Sequence, residues 1–280
     1  MKTFLLNTIS RLDLLAWLLV FSFFGASALL FDGNLRLSLL GAGGIIVIMA
    51  LITASIEIII ESLKNTRGIG TLTGFITNGP EAVCLLVGLL VGDIIFAAST
   101  PLGSNFMNPL LLLSAALVAR SMASLFRTRP VYTTLTILLT AGLAGGFFFL
   151  PADGYLPWLV VSLLASLVLF FIRPLETHSG EEEPHSFRPA LWLPPALLTL
   201  TIAGYGLDPV VSFAANHSQA PKGVIGFFIL ATLTSWPEFK SCLVLFARKK
   251  TLAAILNITV SNITNIWLAS LGIAAYLLTS

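Results

Sequence analysis

Charge is what this 280-residue chain has least of: Asp, Glu, Lys and Arg together make up 10% of it, against 56% hydrophobic residues. That ratio, with a mean hydropathy of +0.95, excludes an ordinary water-soluble domain and implies an all-α, polytopic membrane protein. Cysteine is nearly as scarce. Cys84 and Cys242 both fall inside apolar runs, which excludes a disulfide framework and leaves two small buried side chains. The net charge is only +2, and no basic cluster is interleaved with aromatics, so nucleic acid is not an expected partner. No nucleophile and base pair and no nucleotide-binding loop occur, so neither an enzyme nor a cofactor is expected.

What the chain has in quantity is apolar runs of membrane-spanning length. They fall at about 14–30, 37–62, 68–91, 94–119, 131–150, 155–172, 190–213, 223–247 and 251–278, which makes nine spans. The first also resembles a signal peptide, since Gly25-Ala26-Ser27-Ala28 offers the small residues of a cleavage site. Lysine and arginine test the count independently. Lys2, Arg11, Lys64, Arg67, Arg120, Arg127, Arg129, Arg173, Arg188, Arg248, Lys249 and Lys250 fall on one side of a nine-span chain; only Arg36 and Lys222 fall on the other. By the positive-inside rule the N-terminus is cytoplasmic and the C-terminus outside, in a cell inner or plasma membrane. Lys240 lies within a span; it is expected to snorkel towards Arg248–Lys250 or to pair with Glu57 or Glu61.

Two short segments break the apolar pattern. Thr77-Asn78-Gly79-Pro80-Glu81 and Thr234-Ser235-Trp236-Pro237-Glu238 each put a proline and a carboxylate at bilayer depth, where both are tolerated only beside a protein-lined or watery cavity. A shift of 157 residues superimposes them, and without a gap it also places Ser104 on Ser261, Asn105 on Asn262 and Asn108 on Asn265. This is an internal duplication of a polar intramembrane site. The motif spans are the third and eighth, five steps apart, so the copies enter the membrane in opposite directions as an inverted repeat. The expected organisation is an extra N-terminal helix over 1–36, a first repeat with flanking helices over 37–173, an acidic cytoplasmic linker over 174–189 and a second repeat over 190–280. The linker carries His178, His185 and the glutamate run 181–183, a composition that is usually only solvated.

Thr77 and Glu81 are four apart, as are Ser104 and Asn108, so on a helix each pair shares a face; Thr234 with Glu238 and Ser261 with Asn265 repeat the arrangement. Main-chain carbonyls of Ile76, Leu233 and Asn105 join the set, freed by Pro80, Pro237 and Pro109. Single hydroxyls and amides in membrane helices often serve only as interhelical glue. Two symmetry-related intramembrane carboxylates are harder to explain that way. The inventory is almost all oxygen, which suits hard cations such as Ca²⁺, Na⁺ or Mg²⁺, Ca²⁺ above Mg²⁺ because a flexible mixed-oxygen site fits its loose coordination.

These residues resemble the cation/calcium exchanger superfamily, whose repeats carry G-T-S-x-P-E followed by G-N-x-x-G-S-N-x-x-N. Thr77, Pro80 and Glu81, and again Thr234, Pro237 and Glu238, match the first element; Gly103, Ser104, Asn105 and Asn108, and again Asn257, Ser261, Asn262 and Asn265, match the second. The likeness covers about residues 37–124 and 190–280. Ile76 and Leu233 stand at the first motif glycine, Asn78 at a serine, Thr100 at an asparagine and Val260 at a glycine. The resemblance implies a sodium/calcium exchanger-like bundle of two inverted repeats. It also implies cation ligation by Glu81, Glu238, Thr77, Thr234, Ser104, Ser261, Asn108 and Asn265. Family members typically have ten core helices; this chain ends after the third helix of its second repeat, and its extra first helix or a homodimer would cover the exposed flank.

The expected function is secondary-active antiport of Ca²⁺ against Na⁺ or H⁺ by alternating access, with inorganic cations and the lipid bilayer as partners and no cofactor. The alternative is a non-transporting sensor or assembly subunit that keeps a degenerate exchanger fold. A channel would instead carry ohmic current without a counter-ion.

Overall fold

The computed structural model describes residues 4, 9–91, 94–176, 186–220, 233 and 235–279. Every regular element among them is a helix. In chain order the α-helices are α1 (Arg11–Leu30), α2 (Leu35–Leu63), α3 (Ile69–Ile76), α4 (Gly79–Val91), α5 (Ile94–Val118), α6 (Met122–Arg127), α7 (Pro130–Phe147), α8 (Tyr155–Phe171), α9 (Pro189–Ser218), α10 (Trp236–Ala247) and α11 (Thr251–Thr279).

Among the described residues, seven segments are long and apolar enough to cross a bilayer: α1, α2, Ile69–Leu90 across α3 and α4, Pro101–Val118 of α5, α7, α9 and α11. Their outward faces carry Leu18, Leu19, Leu90, Leu117, Leu138 and Leu198, all exposed, which lipid tolerates and water does not. The protein is an integral membrane protein built as a helical bundle. The count differs from nine at two places. Residues 155–172 form α8, whose 17 residues reach only about 25 Å at ~1.5 Å per residue. Of the run 223–247, α10 is the regular part, 12 residues long, and most of the remainder lies outside the described residues.

The helices divide into two compact units, Met1–Ser62 with Pro184–Pro237 and Leu63–Glu183 with Glu238–Ser280. In the first, α1 opens with a capping box: Asp13 N donates to Ser10 Oγ at 3.3 Å and Ser10 N donates to Asp13 Oδ2 at 2.8 Å. Thr53 Oγ1 adds a bond to Asp13 Oδ1 at 3.3 Å, so this buried carboxylate is accounted for as a cap. The seam of α2 is Ile45, Met49, Ile52, Ile56 and Ile59, and that of α9 is Leu200, Leu207, Val211 and Ala214, all buried at helical spacing. Gly41 lets α2 approach Ala214 so closely that a Cβ would lie 2.7 Å from the alanine's own. Glu61, near the end of α2, accepts from Ser186 N at 2.9 Å.

The second unit is assembled around α11, which is buried over most of its length. Small and polar residues at Ala253, Ala254, Asn257, Ser261, Ala269 and Ser270 let neighbouring backbones approach it. α3 lies close against it, because Gly70 and Gly74, four apart, remove the Cβ atoms that would strike Ala253 and Asn257. The start of α3 is set by Gly68, at φ +76°, and by Glu176, whose carboxylate accepts from Gly70 N at 3.0 Å and Thr71 N at 3.3 Å. Burial pushes the Glu176 carboxyl above its usual range, and those two N–H groups oppose the shift. α8 holds α11 through Trp267 Nε1 to Ser166 Oγ at 2.9 Å and Ser162 to Ser270 at 3.2 Å between hydroxyls. Phe75, Phe170 and Trp267 pack ring to ring above this contact, and the Arg173 guanidinium lies 3.8 Å from the Phe170 centroid.

Candidate functional site

The third span is broken at the motif. Thr77 N still closes the last turn of α3 on Thr73 O at 2.9 Å, but Pro80 has no N–H to offer Ile76 O, and the chain turns through Thr77 and Asn78 before α4 begins at Gly79. Thr77, whose own backbone stays α-helical, therefore caps α3 at the break itself, and Glu81 follows it in the first turn of α4. The break puts Glu81 in the first turn of α4, and Glu238 likewise occupies the first turn of α10, one residue after Pro237. A carboxylate is favoured there by the free N–H groups of a helix start. Glu238 is 0% exposed and Glu81 6%, and the two carboxylates lie within electrostatic reach of one another.

Asparagines organise the centre, and they do so reciprocally. Asn105 Nδ2 donates to Asn262 O at 3.2 Å, and Asn262 Nδ2 donates back to Asn105 O at 3.5 Å. Asn108 Nδ2 donates to Asn262 Oδ1 at 2.9 Å, and Asn265 Nδ2 to Asn105 Oδ1 at 3.1 Å. Each bond maps onto the other of its pair when 157 is added to residues of the first copy and subtracted from those of the second. Contacts of this form, i with j and j with i, are those a local two-fold relation produces. The Asn105 carbonyl, expected among the cation's oxygens, is taken instead by Asn262. Thr140 of α7 supports one side only, accepting from Asn262 Nδ2 at 3.2 Å.

Ser261 joins this core to the acidic pair: its Oγ is 3.3 Å from Glu238 Oε1, 3.0 Å from Asn78 Oδ1 and 3.2 Å from Asn108 Nδ2. Asn257 Nδ2 donates to Glu238 O at 3.4 Å and lies 3.5 Å from Cys242 Sγ. Ser104 is buried on α5, one turn before Asn108, outside these bonds. Thr234 lies outside the described residues, as do His178, His185 and the glutamates at 181–183. Lys240 is 3% exposed, so it does not reach the surface as a snorkelling lysine would. Both cysteines are free.

The atoms left over after this bonding have a common chemistry. Glu81 Oε2, Asn108 Oδ1, Asn257 Oδ1 and Asn265 Oδ1 are buried without a hydrogen-bond partner; Thr77 Oγ1 and Glu238 Oε2 lack one of good geometry, although the Thr77 hydroxyl lies within hydrogen-bonding reach of the Glu238 carboxylate. All six are oxygens. Four form symmetry pairs, Glu81 with Glu238 and Asn108 with Asn265, because the paired asparagines spend their amide N–H groups on the central network. A buried acceptor without a donor costs about 1–3 kcal/mol, more for a charged one, so a group of them is stable only if something electropositive comes between them. Among the described residues no three His, Cys, Asp or Glu side chains cluster, which leaves a mixed set of two carboxylates with amide and hydroxyl oxygens. Such a donor set fits a hard cation.

Asn78, Asn105 and Asn262 were legible as motif positions, but their spacing carried no sign that they would bond to one another; Thr140 carried no signal at all. No protein-family model matches the chain, no curated protein matches it, and no solved structure matches it.

Proposed function

We propose that the protein is a secondary-active antiporter that exchanges Ca²⁺ for Na⁺ or H⁺ by alternating access. The observation that carries this reading is the set of six buried oxygens short of donors, two carboxylates among them, four of which form pairs under the 157-residue shift. The reciprocal asparagine bonds support a two-fold relation between the copies, and the one-sided distribution of Lys and Arg supports a nine-span chain with its N-terminus cytoplasmic and its C-terminus outside. With asparagine at both 108 and 265, Glu81 and Glu238 are the only carboxylates the motifs bring to the site, so its charge is at most −2. One Ca²⁺, two Na⁺ or two protons neutralise it, whereas a third Na⁺ would leave a net positive charge in a low-dielectric centre. Exchange is therefore close to electroneutral.

Flux of ⁴⁵Ca²⁺ into proteoliposomes under outward Na⁺ or H⁺ gradients tests the function. Uptake under at least one gradient is the expected result; none under either returns the chain to a sensor or assembly role, and ohmic current without counter-ion dependence to a channel. Clamping the membrane potential with K⁺ and valinomycin should leave uptake nearly unchanged, and a steep voltage dependence that requires Na⁺ would overturn the charge count.

Orientation is tested separately. Single cysteines introduced beside Met1 and Ser280, in a background with Cys84 and Cys242 replaced, should react with impermeant maleimide from opposite sides of the membrane. Labelling from one side would break the nine-span arrangement.

A further inference from the structure

Ser261 Oγ stands among three polar groups and has one proton and two lone pairs to share between them. Asn108 Nδ2, 3.2 Å away, is a donor and takes one lone pair. The proton then has two competing acceptors, Asn78 Oδ1 at 3.0 Å and Glu238 Oε1 at 3.3 Å. Given to Glu238, it places a positive hydrogen on the carboxylate where a cation would bind. Given to Asn78, it leaves the second lone pair facing the carboxylate, as a cation ligand requires. The Asn78 amide is held with its oxygen towards Ser261, because its Nδ2 donates to Ser261 O at 2.9 Å and Gly74 O at 3.3 Å.

Resting on the cation-transport reading above, we infer that Asn78 is a positioning residue: by accepting the Ser261 hydroxyl proton it converts Ser261 from a hydrogen-bond donor to Glu238 into a ligand for the transported cation. The device is one-sided. The counterpart of Asn78 in the second copy is Ser235, so the two halves of the site are chemically unequal at this point.

Two substitutions separate this role from simple tethering. Asn78→Leu keeps the bulk and removes the acceptor; Asn78→Asp keeps the acceptor oxygen and removes both N–H tethers. Ca²⁺ binding to the purified full chain is measured by titration calorimetry, with Ca²⁺-dependent melting as a check on folding. Asn78→Leu should weaken Ca²⁺ binding about tenfold, the scale of one hydrogen-bonded ligand, while Asn78→Asp binds at least as well as the wild type. Added to Ser261→Ala, Asn78→Leu should cost nothing further, because the hydroxyl it acts through is gone. Wild-type affinity in Asn78→Leu, an equal loss with and without the Ser261 hydroxyl, or a tenfold loss in Asn78→Asp would each overturn the inference. Should Asn78→Leu fail to fold, Asn78→Ala, which removes the same acceptor, is measured in its place, alone and combined with Ser261→Ala. A wild-type protein that binds no Ca²⁺ would instead defeat the transport reading, a distinct outcome.

Discussion

Glu81→Gln and Glu238→Gln should each abolish exchange and leave a folded protein. Glutamine keeps the length and one carbonyl oxygen but removes a unit of charge. A monovalent cation held about 4 Å from each carboxylate gains roughly 4 kcal/mol from each at an effective dielectric near 20, and Ca²⁺ about twice that, so losing one lowers affinity at least about a thousandfold. The fold should not suffer. The two carboxylates are buried within electrostatic reach of one another, so in the absence of cation charge on the pair opposes folding. Both variants should therefore melt at or above the wild-type temperature in chelator, while the Ca²⁺-induced rise in melting temperature disappears. Wild-type flux in either variant would show that the cation binds elsewhere, and a collapsed elution profile would show that the glutamates hold the fold together.

Gly70→Ala and Gly74→Ala should each cause a large loss of stability for a single added methyl group. A Cβ at Gly70 would lie 2.2 Å from Ala253 O and 2.5 Å from Ala253 Cα, and one at Gly74 would lie 2.7 Å from Asn257 O. These are backbone atoms of the buried helix α11, which have nowhere to go, so α3 must be pushed away. Overpacking of this kind costs about 1–3 kcal/mol, and a backbone obstacle puts it at the upper end. The displacement also reaches the site, because α3 ends at the break that carries Thr77 and Asn78, and Asn78 reaches Ser261 only while α3 lies against α11. Gly103→Ala and Gly142→Ala are the controls: a Cβ at either meets nothing within 4 Å. Thermal melts monitored by size-exclusion chromatography should separate the two pairs, and a Gly70→Ala protein as stable as its controls would contradict the packing.

Some of this was determined by sequence alone. Composition decides the solvent in which a helix is stable, so apolar runs announce the membrane and a carboxylate within one announces a cavity, wherever the neighbours fall. The duplication of Glu81 at Glu238 and of Asn108 at Asn265 is a property of register and needs no coordinates. What a side chain does with its hydrogen bonds is decided elsewhere. The i, i+4 spacing of Thr77 and Glu81 implied one helix, yet the lost donor at Pro80 ends α3 before α4 begins. The amide of Asn105 is oriented by Asn262, more than a hundred residues away in the chain, and Asn78, which reads as a mere replacement of serine, reaches Ser261 only because Gly70 and Gly74 bring α3 against α11. Local chemistry fixes which atoms are candidates; only non-local packing consumes the amide N–H groups and leaves the oxygens for a cation.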